Sequence, residues 1–280
     1  MVARSARRRS ARTRNTGRQA ANSRLMSLVA RAGLVARGVM YGLIGIIAIQ
    51  IALGNSHQQA DRSGAVRLVA ATPFGMVTLW LLVIGFVGLT LWRLSEAAFG
   101  APGTGGHKTS TRLLCLVKAM LYGALTVSIL KYALGLGAPQ STNQQSQDLT
   151  ATALKHQRGE AAVAIAGLII AAAGLYLSYQ AYRRKFLQDM RIGSASRRTR
   201  NIVSWFGEVG GIARGTVFVT IGVFLVVAAV EANPGQAKGI DSALRTLARA
   251  PFGPWLLGLV AVGLVLFGIF SCCEARWRRV

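Results

Sequence analysis

The residues that could do chemistry in this chain are charges set in or beside long apolar runs. Arg37 stands two residues into the first such run and Glu96 just past the end of the second. A chain that doubled back between them would hold both at one depth. Arg214 and Glu274 repeat the arrangement 177 and 178 residues later. A lone base at the centre of a bilayer costs about 2.5 to 3.5 kcal/mol, less near its surface, and a carboxylate partner offsets part of that. The spacing therefore predicts two ion pairs, Arg37 with Glu96 and Arg214 with Glu274. Two readings of them are open: a latch that fixes neighbouring helices, or a gated ion or proton path. Lys118 holds the corresponding middle position with no acid in view, facing either lipid headgroups or a shared axis. Thirteen residues beyond these three bases come Gln50, Lys131 and Val227. Gln50 and Lys131 either line an outer vestibule, or Lys131 reaches the headgroups along its own apolar stem.

The other candidates for chemistry are weak. His57, His107 and His156 lie in three separate loops without the spacing of metal ligands. Cys115, Cys272 and Cys273 fall where disulfides are not expected and read as apolar fillers. No Walker loop, nucleophile elbow or His-Glu-x-x-His stretch occurs, so no cofactor, metal or catalytic residue is implied. Gly38 and Gly42 form a G-x-x-x-G spacing and Gly258, Gly263 and Gly268 punctuate the last apolar run, which predicts close helix packing or, alternatively, a thin place for a ligand.

The elements that must position these residues follow from composition. Of 280 residues, 52% are hydrophobic and 15% charged, with 33 Lys and Arg against 9 Asp and Glu, a net charge of +24. Together with a mean hydropathy of +0.41, this requires apolar and basic residues to be segregated, as in a membrane protein with basic loops. Hydrocarbon about 30 Å thick needs about 20 apolar residues in a helix. Six runs near that length occur, at 35–53, 74–94, 113–136, 161–179, 212–230 and 252–270. In lipid their backbones can be satisfied only as helices. Trp92, Trp205 and Trp277 fall at one set of ends and Trp255 at the other, as an interfacial belt would place them. Alternate loops carry 22 bases on the side of the N-terminus and 7 on the other, which predicts both termini in the cytoplasm. The first run follows an Arg-rich stretch and is too long for a cleavable signal core, so it is expected to stay as an anchor.

An internal repeat organises the runs. Arg37-Gly38-Val39-Met40-Tyr41 with Gly45 returns as Arg214-Gly215-Thr216-Val217-Phe218 with Gly222, and Pro73-Phe74-Gly75 with Gly85 returns as Pro251-Phe252-Gly253 with Gly263. A weaker copy lies between, where Lys118 and Tyr122 match Arg37 and Tyr41 at a shift of 81; it lacks Pro-Phe-Gly and the closing Glu. The outer loop of each unit is expected to carry a short amphipathic stretch at the interface, such as 61–71 or 241–250. The expected fold is all-α and membrane-integral: six transmembrane helices as three tandem hairpins, pseudo-threefold about the membrane normal. The expected divisions are a basic tail at 1–31, units at 32–99, 112–182 and 206–275, a basic loop at 183–205 and a basic end at 276–280.

These motifs resemble the bacterial integral-membrane family catalogued as domain of unknown function 1206, over about residues 31–274 and most specifically in units one and three. The middle unit resembles it in Gly174-Leu175-Tyr176 through Tyr182-Arg183-Arg184-Lys185-Phe186. The resemblance implies three two-helix units in a bacterial inner membrane, and it carries no activity. The basic tail, together with Arg183, Arg184, Lys185, Arg197, Arg198 and Arg200, suits anionic lipid at the inner leaflet, at about 1 kcal/mol per base. An acidic protein or a nucleic acid could use the same charge, but no aromatic interleaving or reader fold accompanies it. The expectation is a structural, accessory or regulatory membrane component, alone, as a homo-oligomer or with a membrane-protein partner. The alternatives are a small-solute or ion transporter with its path on the axis, and an intramembrane enzyme binding a lipid or quinone.

Overall fold

A computed structural model describes residues 24–55, 58–100, 109–156, 158–190, 192, 196–249 and 251–278. Residues 1–23, His57, His107, Lys108, Arg191 and Arg279 lie outside them. Among the described residues the chain forms nine α-helices. Six are long and apolar enough to cross a membrane: α1 (Arg24–Ala52), α3 (Gly75–Phe99), α4 (Thr109–Ala133), α6 (Gly159–Tyr182), α7 (Arg197–Val230) and α9 (Gly253–Trp277). Three shorter helices, α2 (Arg62–Ala70), α5 (Thr142–Leu154) and α8 (Ile240–Arg249), join α1 to α3, α4 to α6 and α7 to α9 at one end of the bundle. That end is called here the capped end, and the opposite one the basic end.

The helices outrun the apolar stretches at the basic end. α7 starts at Arg197, well before the apolar run, because Val203, Ser204, Gly207 and Gly210 bury one face there. Gly207 packs under Phe186 and Phe270, and Gly210 against the backbone of Phe267. Length beyond the hydrocarbon is thus held by protein contact, to which an apolar-run criterion is blind.

The spans close into a ring with one break. The broadest contacts join α3 to α4, α6 to α7 and α9 to α1, and narrower ones join α1 to α3 and α7 to α9. α4 and α6 share no comparable contact, which corrects the expectation that the middle unit is a packed hairpin. The reason lies in α6. Its Gly167 and Gly174 meet Gly222 and Gly215 of α7, backbone to backbone, and its opposite face stays apolar and exposed at Ile165, Leu168, Ile169 and Leu175. A Cβ at Gly174 would fall 2.7 Å from the Gly215 carbonyl oxygen. α1 and α9 use the same device: a Cβ at Gly38 would lie 2.7 Å from the carbonyl oxygen of Gly268. Such close approach maximises dispersion contact between helices that lipid gives no hydrophobic reason to associate.

One apolar core runs through the ring, with Ile44 and Ile47 of α1, Leu82 and Phe86 of α3, Leu125 and Ile129 of α4, Val217 of α7 and Leu257 and Leu264 of α9. α6 contributes nothing to it among the described residues. Trp92, expected in an interfacial belt, is buried in this core, while Trp205 and Trp255 are exposed.

At the capped end the three short helices tie to one another through their starts. Asp61 caps α2 by accepting from the Ser63 and Gly64 N–H groups, and its second oxygen accepts from the Thr142 N–H and hydroxyl at 2.7 Å each. The Asn143 side-chain oxygen accepts from the Gly239 N–H at 2.7 Å, and Asp241 Oδ1 accepts from the Ala60 N–H at 2.8 Å. Each connecting segment therefore satisfies a backbone group of another, in a closed cycle. Asp61 is fully buried. Replacing it with Ala strands the Thr142 and Ser63 donors, at about 1 to 3 kcal/mol for an unsatisfied buried group. Asp61→Ala is expected to melt several degrees below wild type in detergent, whereas Asp148→Ala, at an exposed position of α5, leaves the midpoint unchanged.

Candidate functional site: a cationic cluster at the basic end

Arg37 lies 15 residues before the end of α1, so about 22 Å of helix separates it from the capped end. In hydrocarbon about 30 Å thick, that depth lies inside the apolar layer near its far side. Its guanidinium donates from Nε to Ser271 Oγ at 2.9 Å and from Nη2 to Glu274, both on α9, and it has the Tyr122 hydroxyl of α4 as a further partner. Ser271 passes the bond on to the Leu34 carbonyl at 2.8 Å. Glu274 takes Arg37 on one oxygen and Arg278 on the other. Glu96 pairs with Arg93 on its own helix at 2.5 Å and accepts a longer bond from Cys115 Sγ of α4. Arg37, Arg93, Glu96 and Glu274 are each at most 7% exposed.

This geometry corrects both predicted pairings. Arg37 bonds Glu274 rather than Glu96, and Arg214 has no carboxylate within salt-bridge distance among the described residues. The cause is the order of the ring. Glu274 looks toward the first span of the following unit, across the interface where Gly38 and Gly268 bring α1 and α9 together, whereas Glu96 pairs with Arg93 on its own helix and reaches Cys115 of α4. Gly268 against Gly38 sets Glu274 beside Arg37. Gly174 meets Gly215 in the same way, and six residues after Gly174, where Glu274 follows Gly268, stands Gln180. Arg214 therefore lacks the acid that its counterpart Arg37 has.

Arg214 instead sits among aromatic faces, 5.1 Å from the Phe267 ring centre, 5.4 Å from Phe218 and 5.6 Å from Tyr41. Ring faces attract the cation but accept poorly from in-plane N–H groups, and among the described residues Nε of Arg214 is buried without a hydrogen-bond partner, as is Nε of Arg93. Lys118 is exposed, and its charged neighbours are Arg93, Arg214 and Arg278. The arrangement can hold and orient an anion.

The remaining expected residues do not join this cluster. Gln50 and Lys131 are exposed, while Ile47, Ile129 and Ala228, within a turn of those levels, are fully buried. Pro73, Phe74 and Gly75, and likewise Pro251, Phe252 and Gly253, make the tight starts of α3 and α9. Gly75 and Gly253 sit so close to the carbonyls of Val69 and Ala248 that no side chain would fit. Arg183, Arg184, Lys185, Arg197, Arg198 and Arg200 are all exposed; Arg184 pairs with Glu208 and Lys185 lies over the Tyr179 ring. Arg93, Arg278, Ser271 and Tyr122 belong to the cluster without having been singled out as site residues. The signal for Tyr122 was present, since Tyr41, Tyr122 and Phe218 each follow a base by four residues, one turn along the same helix face.

Residues 32–100, 114–184 and 209–278 each match the family model described as Domain of Unknown Function (DUF1206). The chain belongs to this family. A relative from Bacillus subtilis (strain 168), described as Uncharacterized protein YxxB, is 28% identical over 252 residues, 89% of this chain and 90% of its own length. No solved structure matches.

A double-mutant cycle separates the two pairing schemes. Arg37→Gln with Glu274→Gln is expected to couple by about 0.5 to 3 kcal/mol, because Glu274→Gln strands the buried Arg37 guanidinium and Arg37→Gln leaves Glu274 with Arg278 alone. Arg37→Gln with Glu96→Gln is expected to be additive within about 0.5 kcal/mol. Denaturant or thermal unfolding in micelles reads both, and equal coupling in the two cycles would restore the sequence-derived pairing.

Proposed function

We propose that this DUF1206 protein is a non-conducting structural or accessory component of the bacterial inner membrane. It has three tandem two-helix units arranged pseudo-threefold about the membrane normal, and its basic end is cytoplasmic. The observation that carries the reading is the continuous apolar core, in which side chains from five of the six spans fill the middle of the ring. A water-filled path would need polar groups or space there, and Phe86, Ile47, Ile129 and Leu264 leave neither. The cyclic hydrogen bonds among the starts of α2, α5 and α8 support the threefold arrangement and close the other end. The excess of Lys and Arg in the loops of the basic end supports its cytoplasmic assignment, with those bases on anionic headgroups. The exposed apolar side chains along α6 suit lipid or a membrane-protein partner.

Purified protein in liposomes is expected to leave proton, potassium and chloride leaks at the level of empty liposomes; conduction that scales with protein content would overturn the non-conducting reading. Orientation is read separately in intact cells, after Cys115, Cys272 and Cys273 are replaced by Ala. An impermeant maleimide is expected to label Leu149→Cys on α5 and to spare Arg197→Cys until the membrane is opened.

A further inference from the structure

We propose that the basic end of the ring is a binding site for one phosphate group, held by Lys118, Arg214 and Arg93 and reached from the lipid side through the break between α4 and α6. The inference goes beyond the non-conducting reading and does not depend on which end faces the cytoplasm.

Charge balance is the first argument. Among the described residues, Arg37, Arg93, Lys118, Arg214 and Arg278 gather around two carboxylates, Glu96 and Glu274, leaving three positive charges without a counter-charge. The carboxylates are already committed, Glu274 with both oxygens and Glu96 to Arg93. Cations within or beside an apolar layer stay together only when an anion or water offsets their repulsion.

Geometry is the second. The Arg93 and Arg214 Nε–H groups are buried and have no acceptor, which marks two donors short of a partner in the same cluster. The rings of Tyr41, Phe218 and Phe267 hold the Arg214 guanidinium from its sides, which orients a planar fork suited to two oxygens of one group. Lys118 adds a compact ammonium. A phosphate offers several acceptor oxygens and one or two negative charges, matching both the donors and the excess charge better than a single carboxylate does.

Access is the third. The ring is interrupted between α4 and α6, and Lys118, on α4, is exposed though its neighbours belong to α3, α7 and α9. A headgroup could move in from the bilayer with its chains left along the apolar face of α6, whereas free phosphate would come from water at the basic end. The chemistry recognised is the same, and the source is an experimental question.

Full-length protein is purified in a neutral detergent and tested for thermal stabilisation and for bound mass by native mass spectrometry. The three probes are phosphatidylglycerol, phosphatidylcholine and inorganic phosphate. Wild type is expected to retain one phosphatidylglycerol at least tenfold more tightly than phosphatidylcholine. Lys118→Gln and Arg214→Gln should each lose that preference, and Lys155→Gln with Arg249→Gln, two exposed bases at the capped end, should keep it. Without any anion, Lys118→Gln is expected to melt at or above wild type, because it removes repulsion; this shows the variant to be folded. Stabilisation by inorganic phosphate that Lys118→Gln abolishes, with no lipid preference, would support the site and assign it to free phosphate. The proposal is overturned if no probe distinguishes wild type from the two variants, if the preference follows the Lys155 and Arg249 change, or if Lys118→Gln melts well below wild type without anion.

Discussion

Everything at the basic end depends on how closely α1 and α9 approach. Gly38 lies against the Gly268 carbonyl, and Gly45 against Ala261, so the first and last spans of the chain meet backbone to backbone. That contact joins the two ends of the sequence and closes the ring. It also sets Glu274 and Ser271 against Arg37. A larger residue at position 38 would drive the helices apart and withdraw the carboxylate from a guanidinium that has no water to replace it. The packing and the electrostatics are therefore one constraint: the glycines bring the charges together, and the paired charges reward the approach.

The same arrangement explains which parts of the structure could be read from residue types. Six spans were legible because hydrocarbon demands a continuous apolar helix of known length, a requirement written in every run. The depth of Arg37, Glu96, Arg214 and Glu274 was legible for the same reason. Their partners were not, since depth says nothing about which helix lies beside which. Pairing within a unit was the simplest assumption, and the ring instead pairs across units. Arg93 and Trp92 sit at the end of an apolar run and read as interface residues; only packing against α9 and Arg278 makes them interior. α5 is mostly polar in its first half, so its apolar pattern is weak, although Ser141 and Gln144 form a capping box whose spacing marks a helix start.

The ends of the bundle divide the work. At the capped end, polar side chains are matched to backbone groups of the neighbouring segment, and Asp61 and Asp241 each bridge two segments. In the middle, aliphatic and aromatic side chains from α1, α3, α4, α7 and α9 fill the ring. At the basic end the matching stops, with cations in excess and two guanidinium N–H groups unanswered. Stability resides in the first two layers, so the third can carry an imbalance that would be costly if it were spread through the core.

The middle unit accounts for both peculiarities of that third layer. Three identical units in a ring would offer each first-span base a carboxylate from the unit before it. Here the first and third units keep their acids, Glu96 and Glu274, whereas the second has Gln180 where the acid would stand, and Arg214 on the next span goes without. The same unit turns the glycines of α6 wholly toward α7 and leaves α4 packed on α3 alone among its neighbouring spans, which opens the ring. One divergent copy thus supplies an unpaired cation and a side entrance at the same end of the bundle. Either change alone would be a defect, a stranded charge with no access or a gap with nothing behind it; together they have the form of a site.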